Sequence, residues 1–120
     1  MTRHHVPGPG DAGPAVVRRA TAYIEAHAHL PVQLSEIAAA AGTSARALQY
    51  AFRRHLGTTP LGHLRRVRLE QAHRDLVAAD PTKGDSVAAV ATRWGFPNRG
   101  RFASAYRAAY GVPPGETLRR

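Results

Sequence analysis

Cysteine is absent from the 120 residues, which excludes disulfides, thiolate metal sites and cysteine nucleophiles. No apolar run approaches the roughly 20 residues that a membrane span needs, and the N-terminus lacks the apolar stretch of a signal peptide. A cytoplasmic protein without a membrane partner is the expectation. Sustained alternation of apolar and polar residues is also missing, which argues against strands. No serine stands in a nucleophile elbow and no glycine-rich phosphate loop is present, so neither an enzyme nor a cofactor is expected. Acidic residues are scarce: 8 Asp and Glu stand against 17 Lys and Arg, a formal charge of +9.

Lys83 is the sole lysine, so almost all of that positive charge is arginine. The planar fork of arginine suits phosphate oxygens and guanine edges, which makes polyanions the natural partners, although charge alone does not separate nucleic acid from an anionic membrane. The length allows one compact domain or two very small ones sharing a connecting element. Seven histidines raise the question of a metal. His4 and His5 lie near the start, His27 and His29 flank a helix end, and His55, His63 and His73 are scattered. None has a second histidine at the i, i+4 spacing of helical zinc sites, and surface or capping roles are expected.

Residues 1–13, with Pro7, Gly8, Pro9, Gly10 and Gly13, read as a flexible tail or linker remnant. From Pro14 onward apolar residues recur at helical spacing. Val16, Val17, Ala20, Tyr23, Ile24 and His27 mark a first helix ending before Pro31. A second begins near Ser35 and runs to Gly42; Thr43 or Ser44 caps a third that ends near Gly57. Pro60 opens a long fourth helix through Leu76. A polar turn over Asp80 to Asp85 follows, then a fifth helix capped by Ser86 and carrying Val87, Val90, Ala91 and Trp94. A sixth covers Asn98 to Tyr110, and a short seventh follows Pro113 and Pro114. The fold class is all-α with about seven helices. Its expected divisions are residues 14–59, a connecting helix over 60–79, and residues 80–120.

The second half repeats the first. Leu34, Ile37, Ala38 and Gly42 return 53 residues later as Val87, Val90, Ala91 and Gly95. After a one-residue insertion, Phe52, Gly57, Pro60, Leu64, Arg65 and Arg66 return 54 residues later as Tyr106, Gly111, Pro114, Leu118, Arg119 and Arg120. Each unit has its own logic. Ala38 or Ala91 leaves room for the next helix to cross closely, and the glycine four residues on allows the positive φ of a sharp turn. Large apolar residues then pack back, Leu48 and Phe52 in one unit and Phe102 and Tyr106 in the other. This is the sequence form of a helix-turn-helix, used twice.

The stretch from about Leu34 to Leu118, roughly 85 residues, resembles the DNA-binding domain of AraC/XylS transcription regulators. Helix order, the long connecting helix, the run from Val87 to Phe96, Phe102, Tyr106 and the run from Gly111 to Pro114 carry the likeness. The resemblance implies a sequence-specific regulator of double-stranded DNA that places the second helix of each unit in successive major-groove segments. A helix from Pro60 to Leu76 would be roughly 25 Å long, on the scale of the roughly 34 Å between groove segments on one face. Relatives usually carry a ligand-sensing or dimerising domain as well, which this sequence does not contain.

On the third helix, Leu48 and Phe52 define the buried side and leave Arg46, Gln49, Tyr50 and Arg53 outward. Arg46 suits guanine, Gln49 suits adenine, and Tyr50 suits a thymine methyl or a phosphate. Ser44, Arg53 and Arg54 are phosphate candidates. On the sixth helix the outward positions are Gly100, Ala103, Ser104 and Arg107, with Arg99 and Arg101 at its start. Arg99, Gly100 and Ser104 occupy the base-facing positions, with glycine where relatives usually carry a reading side chain. Ser86, Asn98, Arg101 and Arg107 are phosphate candidates and Arg99 can serve a phosphate as well, so this unit is expected to anchor more than it discriminates.

Arg65, Arg66 and Arg68 could serve phosphates or pair with Glu70 and Asp75, with the ion pairs ranked first, and Trp94 is expected to lie in the core. The competing reading is a cationic module acting mainly through RNA polymerase or a partner regulator, with weak and non-specific DNA binding.

Overall fold

The computed structural model describes the backbone from Pro9 and side chains from Gly13 to Arg120; His4 and His5 lie outside the described residues. Seven α-helices and one 3-10 turn account for the regular structure there. They are α1 (Pro9–His27), α2 (Leu34–Ala41), α3 (Ala45–Leu56), α4 (Pro60–Ala78), α5 (Val87–Arg93), α6 (Arg99–Tyr110) and α7 (Pro114–Arg119), with the 3-10 turn at Pro81–Lys83.

Most boundaries follow the local signals. The Ser44 hydroxyl accepts from Ala47 N–H, Ser86 from Ala89 N–H, and the Asn98 side chain from Arg101 N–H. Each satisfies one of the donors a helix start leaves open. Gly57 and Gly111 close α3 and α6 in the left-handed conformation.

Three boundaries differ from the sequence reading. Helix α1 starts at Pro9 rather than Pro14, because proline is tolerated at a first helical position. The tail expected through Gly13 is therefore helical in its last part. Gly13 itself is buried, and a Cβ there would collide with the His55 ring. Helix α2 is capped at Gln33 and not at Ser35. The Glu36 carboxylate accepts from Gln33 N–H at 2.7 Å, the returning half of a capping box. The polar turn holds a 3-10 turn because Asp80 accepts from Thr82 N–H.

The chain divides into two compact units. In the first, α1 packs on α2 and α3. Ala20, Ile24, Ile37, Leu48 and Phe52 are fully buried in it, as is Pro60 at the head of α4. Arg19 of α1 donates from Nε and Nη2 to the Ala41 carbonyl at 3.0 and 2.9 Å, satisfying the end of α2.

The second unit takes Ala28–Pro31 and Arg65–Arg120. Its core joins Leu69, Ala72 and Leu76 of α4 to Val90, Ala91, Phe96, Phe102 and Tyr106. The rings of Phe96 and Phe102 lie 5.0 Å apart, and those of Tyr106 and Tyr110 lie 4.8 Å apart. Three expected pairings are corrected here. Arg65 meets no carboxylate among the described residues. Arg68 meets no carboxylate among the described residues either; it donates to the Ala28 and Leu30 carbonyls at 2.9 and 2.7 Å, and burial lowers its pKa. Asp75 pairs with Arg93 at 2.8 Å, not with an arginine of its own helix, and also accepts from Trp94 Nε1 at 2.7 Å. Arg66 does reach Glu70, loosely, at 3.9 Å. Trp94 is half-buried, packed on the core with its N–H satisfied.

Candidate nucleic-acid interface

The turn between the two helices of each unit sets the aim of the second. Gly42 has φ 72° and Gly95 has φ 79°, the left-handed region in which a Cβ is strained. The same hydrogen bonds close both turns. Gly42 and Thr43 donate to Ala39 and Ala38, and Gly95 and Phe96 donate to Thr92 and Ala91. Those pairs are equivalent in the repeat, so the units turn alike at the level of single bonds.

Helix α3 buries Leu48, Ala51 and Phe52 and exposes Arg46, Gln49, Tyr50 and Arg53. The exposed four recur at i, i+3, i+4 and i+7 and so form one stripe. Together with Thr59 they border a shallow groove of about 560 Å³. Tyr50 is 49 % exposed, which leaves its ring and hydroxyl open to a partner. Thr59 was not anticipated. Its hydroxyl accepts from Gly62 N–H at 2.9 Å, and its place just before Pro60 was the cap signal that could have found it. Arg54 is exposed beside the stripe, and Ser44 is exposed with its hydroxyl engaged as a cap.

Helix α6 buries Phe102 and Tyr106 and exposes Arg99, Gly100, Arg101, Ser104 and Arg107, with Ala103 half-buried. A concavity of about 670 Å³ lies along it, bordered by Asn98, Gly100, Arg101, Ser104, Ala105 and Arg65 of α4. A Cβ at Gly100 would stand 3.2 Å from Asn98 Oδ1, so the capping residue favours the glycine. Ser86 belongs to α5, half-buried and engaged as a cap.

Among the described residues, Arg46, Arg53, Arg54, Arg99, Arg101 and Arg107 have no ion-pair partner, whereas Arg66, Arg93 and Arg120 do. Six unneutralised cations thus stand on α3 and α6, where they would favour a polyanion. Two of the described histidines are engaged by hydrogen bonds within the fold. His27 Nδ1 lies 2.8 Å from the Tyr23 carbonyl, and His73 Nδ1 lies 2.7 Å from the Tyr106 hydroxyl. No helix among the described residues is long and apolar enough to cross a membrane.

A family model described as a helix-turn-helix domain matches residues 37–120. The chain is 44% identical over 111 residues to a probable thc operon regulatory protein of Rhodococcus erythropolis, covering 92% of this chain and 33% of that protein. It therefore spans about a third of the length of that relative. Among solved structures, a probable AraC family transcriptional regulator from Rhodopseudomonas palustris superposes with a TM-score of 0.80 at 40% identity, over 88% of this chain and 95% of that one. The DNA-binding domain of AdpA, a global transcriptional factor solved in complex with a target DNA, superposes with a TM-score of 0.72 at 28% identity, over 88% and 90%. With two glycine-hinged units in register and these likenesses along most of its length, the chain belongs to the AraC family of helix-turn-helix transcriptional regulators.

Proposed function

We propose that the chain binds double-stranded DNA sequence-specifically and regulates transcription, with α3 and α6 entering successive major-groove segments. The observation that carries this reading is the pair of outward helix faces at equivalent repeat positions, each on a helix with exposed, unpaired arginines and each behind a glycine of positive φ. The AdpA domain, solved on its target DNA, supports duplex DNA as the partner. In this reading Arg46 forks onto guanine O6 and N7, Gln49 pairs with adenine N6 and N7, and Tyr50 covers a thymine methyl. Arg53, Arg54 and Ser44 meet phosphates. The second unit works mainly through Arg99, Arg101 and Arg107 on phosphates, because Gly100, Ala103 and Ser104 offer little reach to base edges. Contacts with RNA polymerase, action alongside a ligand-sensing or dimerising domain, and a place in the cytoplasm belong to the same reading.

Salt titration tests it. A duplex enriched from a randomised pool and its scrambled counterpart are bound by the purified chain at rising salt. A specific reader keeps a preference of roughly a thousandfold or more for the enriched duplex, while both affinities fall with salt. Loss of binding to both duplexes in parallel, with no preference between them, would favour a merely cationic module.

A further inference from the structure

The three arginines at the middle of α4 have different surroundings. Arg66 reaches Glu70, and Arg68 spends its donors on two backbone carbonyls. Arg65 has no carboxylate partner among the described residues, is exposed, and holds its guanidinium carbon 6.0 Å from the centroid of the Phe96 ring. That ring is fixed in place: Phe96 is buried, packs 5.0 Å from Phe102, and follows Gly95 of the turn. A guanidinium resting on an aromatic face loses conformational freedom while its N–H donors stay available.

Arg65 also borders the concavity along α6, which Gly100, the one outward position with no side chain, lines as well. Apart from Arg101 at the helix start, the remaining border is neutral: Asn98, Ser104 and Ala105. The space left by the glycine thus has a pre-positioned cation at its margin, contributed by a helix outside the helix-turn-helix pair.

Resting on the DNA-binding reading above, we infer that Arg65 is a phosphate-contacting residue of the second unit. Its guanidinium holds a phosphodiester oxygen of the strand lying along α6, where Gly100 permits close approach of the backbone. Arg65 stands outside the reading helix and beside small side chains, which favours the phosphate over a base edge.

The test measures binding against salt for Arg65→Gln and Arg65→Lys on the enriched and the scrambled duplex, with Lys83→Gln as a charge control on the same unit. Thermal melting checks that each variant folds. Loss of one phosphate contact lowers the slope of log K against log salt by roughly 0.9 and weakens both duplexes by a similar factor, roughly three- to tenfold. Arg65→Lys retains the slope, since the charge stays. An unchanged slope in Arg65→Gln, an equal change in Lys83→Gln, or a loss confined to one base pair overturns the inference. Arg46→Ala separates the two claims, because it reports base preference. If the wild type shows no preference, the sequence-specific reading fails, and the Arg65 slope is still decided on scrambled duplex.

Discussion

The two units make the same turn with the same backbone bonds, yet they fill and face it differently. At one repeat position the first unit carries Phe52 and the second Tyr106. At another, the first carries His63 and the second Thr117, the two buried polar residues of the described chain. In the first unit the His63 ring meets Phe52 edge-on, with centroids 5.9 Å apart. In the second the Tyr106 hydroxyl donates to Thr117 Oγ1 at 2.7 Å and meets His73 Nδ1 at 2.7 Å. Positions that touch have changed together, because a buried hydroxyl needs a partner and a phenyl ring does not. The outer faces diverge too, with Arg46, Gln49 and Tyr50 in one unit against Gly100, Ala103 and Ser104 in the other. The scaffold turn is held constant while core chemistry and reading chemistry vary.

The comparison can be broken most severely at Phe102, which touches the rings of Phe96 and Tyr106. Phe102→Ala should cost about 3 to 5 kcal/mol in urea unfolding; a loss below about 1 kcal/mol would mean the aromatic cluster is not the second unit's core. Tyr106→Phe makes the second unit resemble the first at that position. It leaves Thr117 and His73 without the hydroxyl and should cost about 1 to 3 kcal/mol, whereas no change would show the network to be incidental.

A smaller effect is expected at Tyr110, whose pKa is raised by burial, then by Glu70 and Tyr106, against an opposing contribution from Arg74. The unfolded chain ionises this phenol from about pH 10 while the folded unit resists. Stability should therefore fall as pH rises from about 10 through the folded value. Tyr110→Phe should flatten that fall, and an unaltered pH profile would remove the assignment.

Much of this was legible in the residues. Ser44, Ser86 and Asn98 announce helix starts locally, the repeat fixes both hinges, and the i, i+3, i+4, i+7 spacing sorts each second helix into an inner and an outer face. What escaped depends on contacts between elements far apart in the chain. The destinations of Arg68, 40 residues from Ala28, and of Asp75, 18 residues from Arg93, have no signature in local spacing. Thr59 escaped for the same reason, since it borders a groove whose other walls belong to a different helix, and so did the place of Arg65 beside α6. The start of α1 escaped because glycine and proline in residues 9–13 argue locally against a helix.

The division of labour between α3 and α6 is best tested by substituting every base pair of the bound site in turn and measuring affinity at fixed salt. The account predicts penalties of about 1 to 3 kcal/mol per base pair clustered in one half of the site. Those penalties should relax at a single base pair in Arg46→Ala, while Arg107→Ala weakens all sequences alike. Equal penalties in both halves would contradict it.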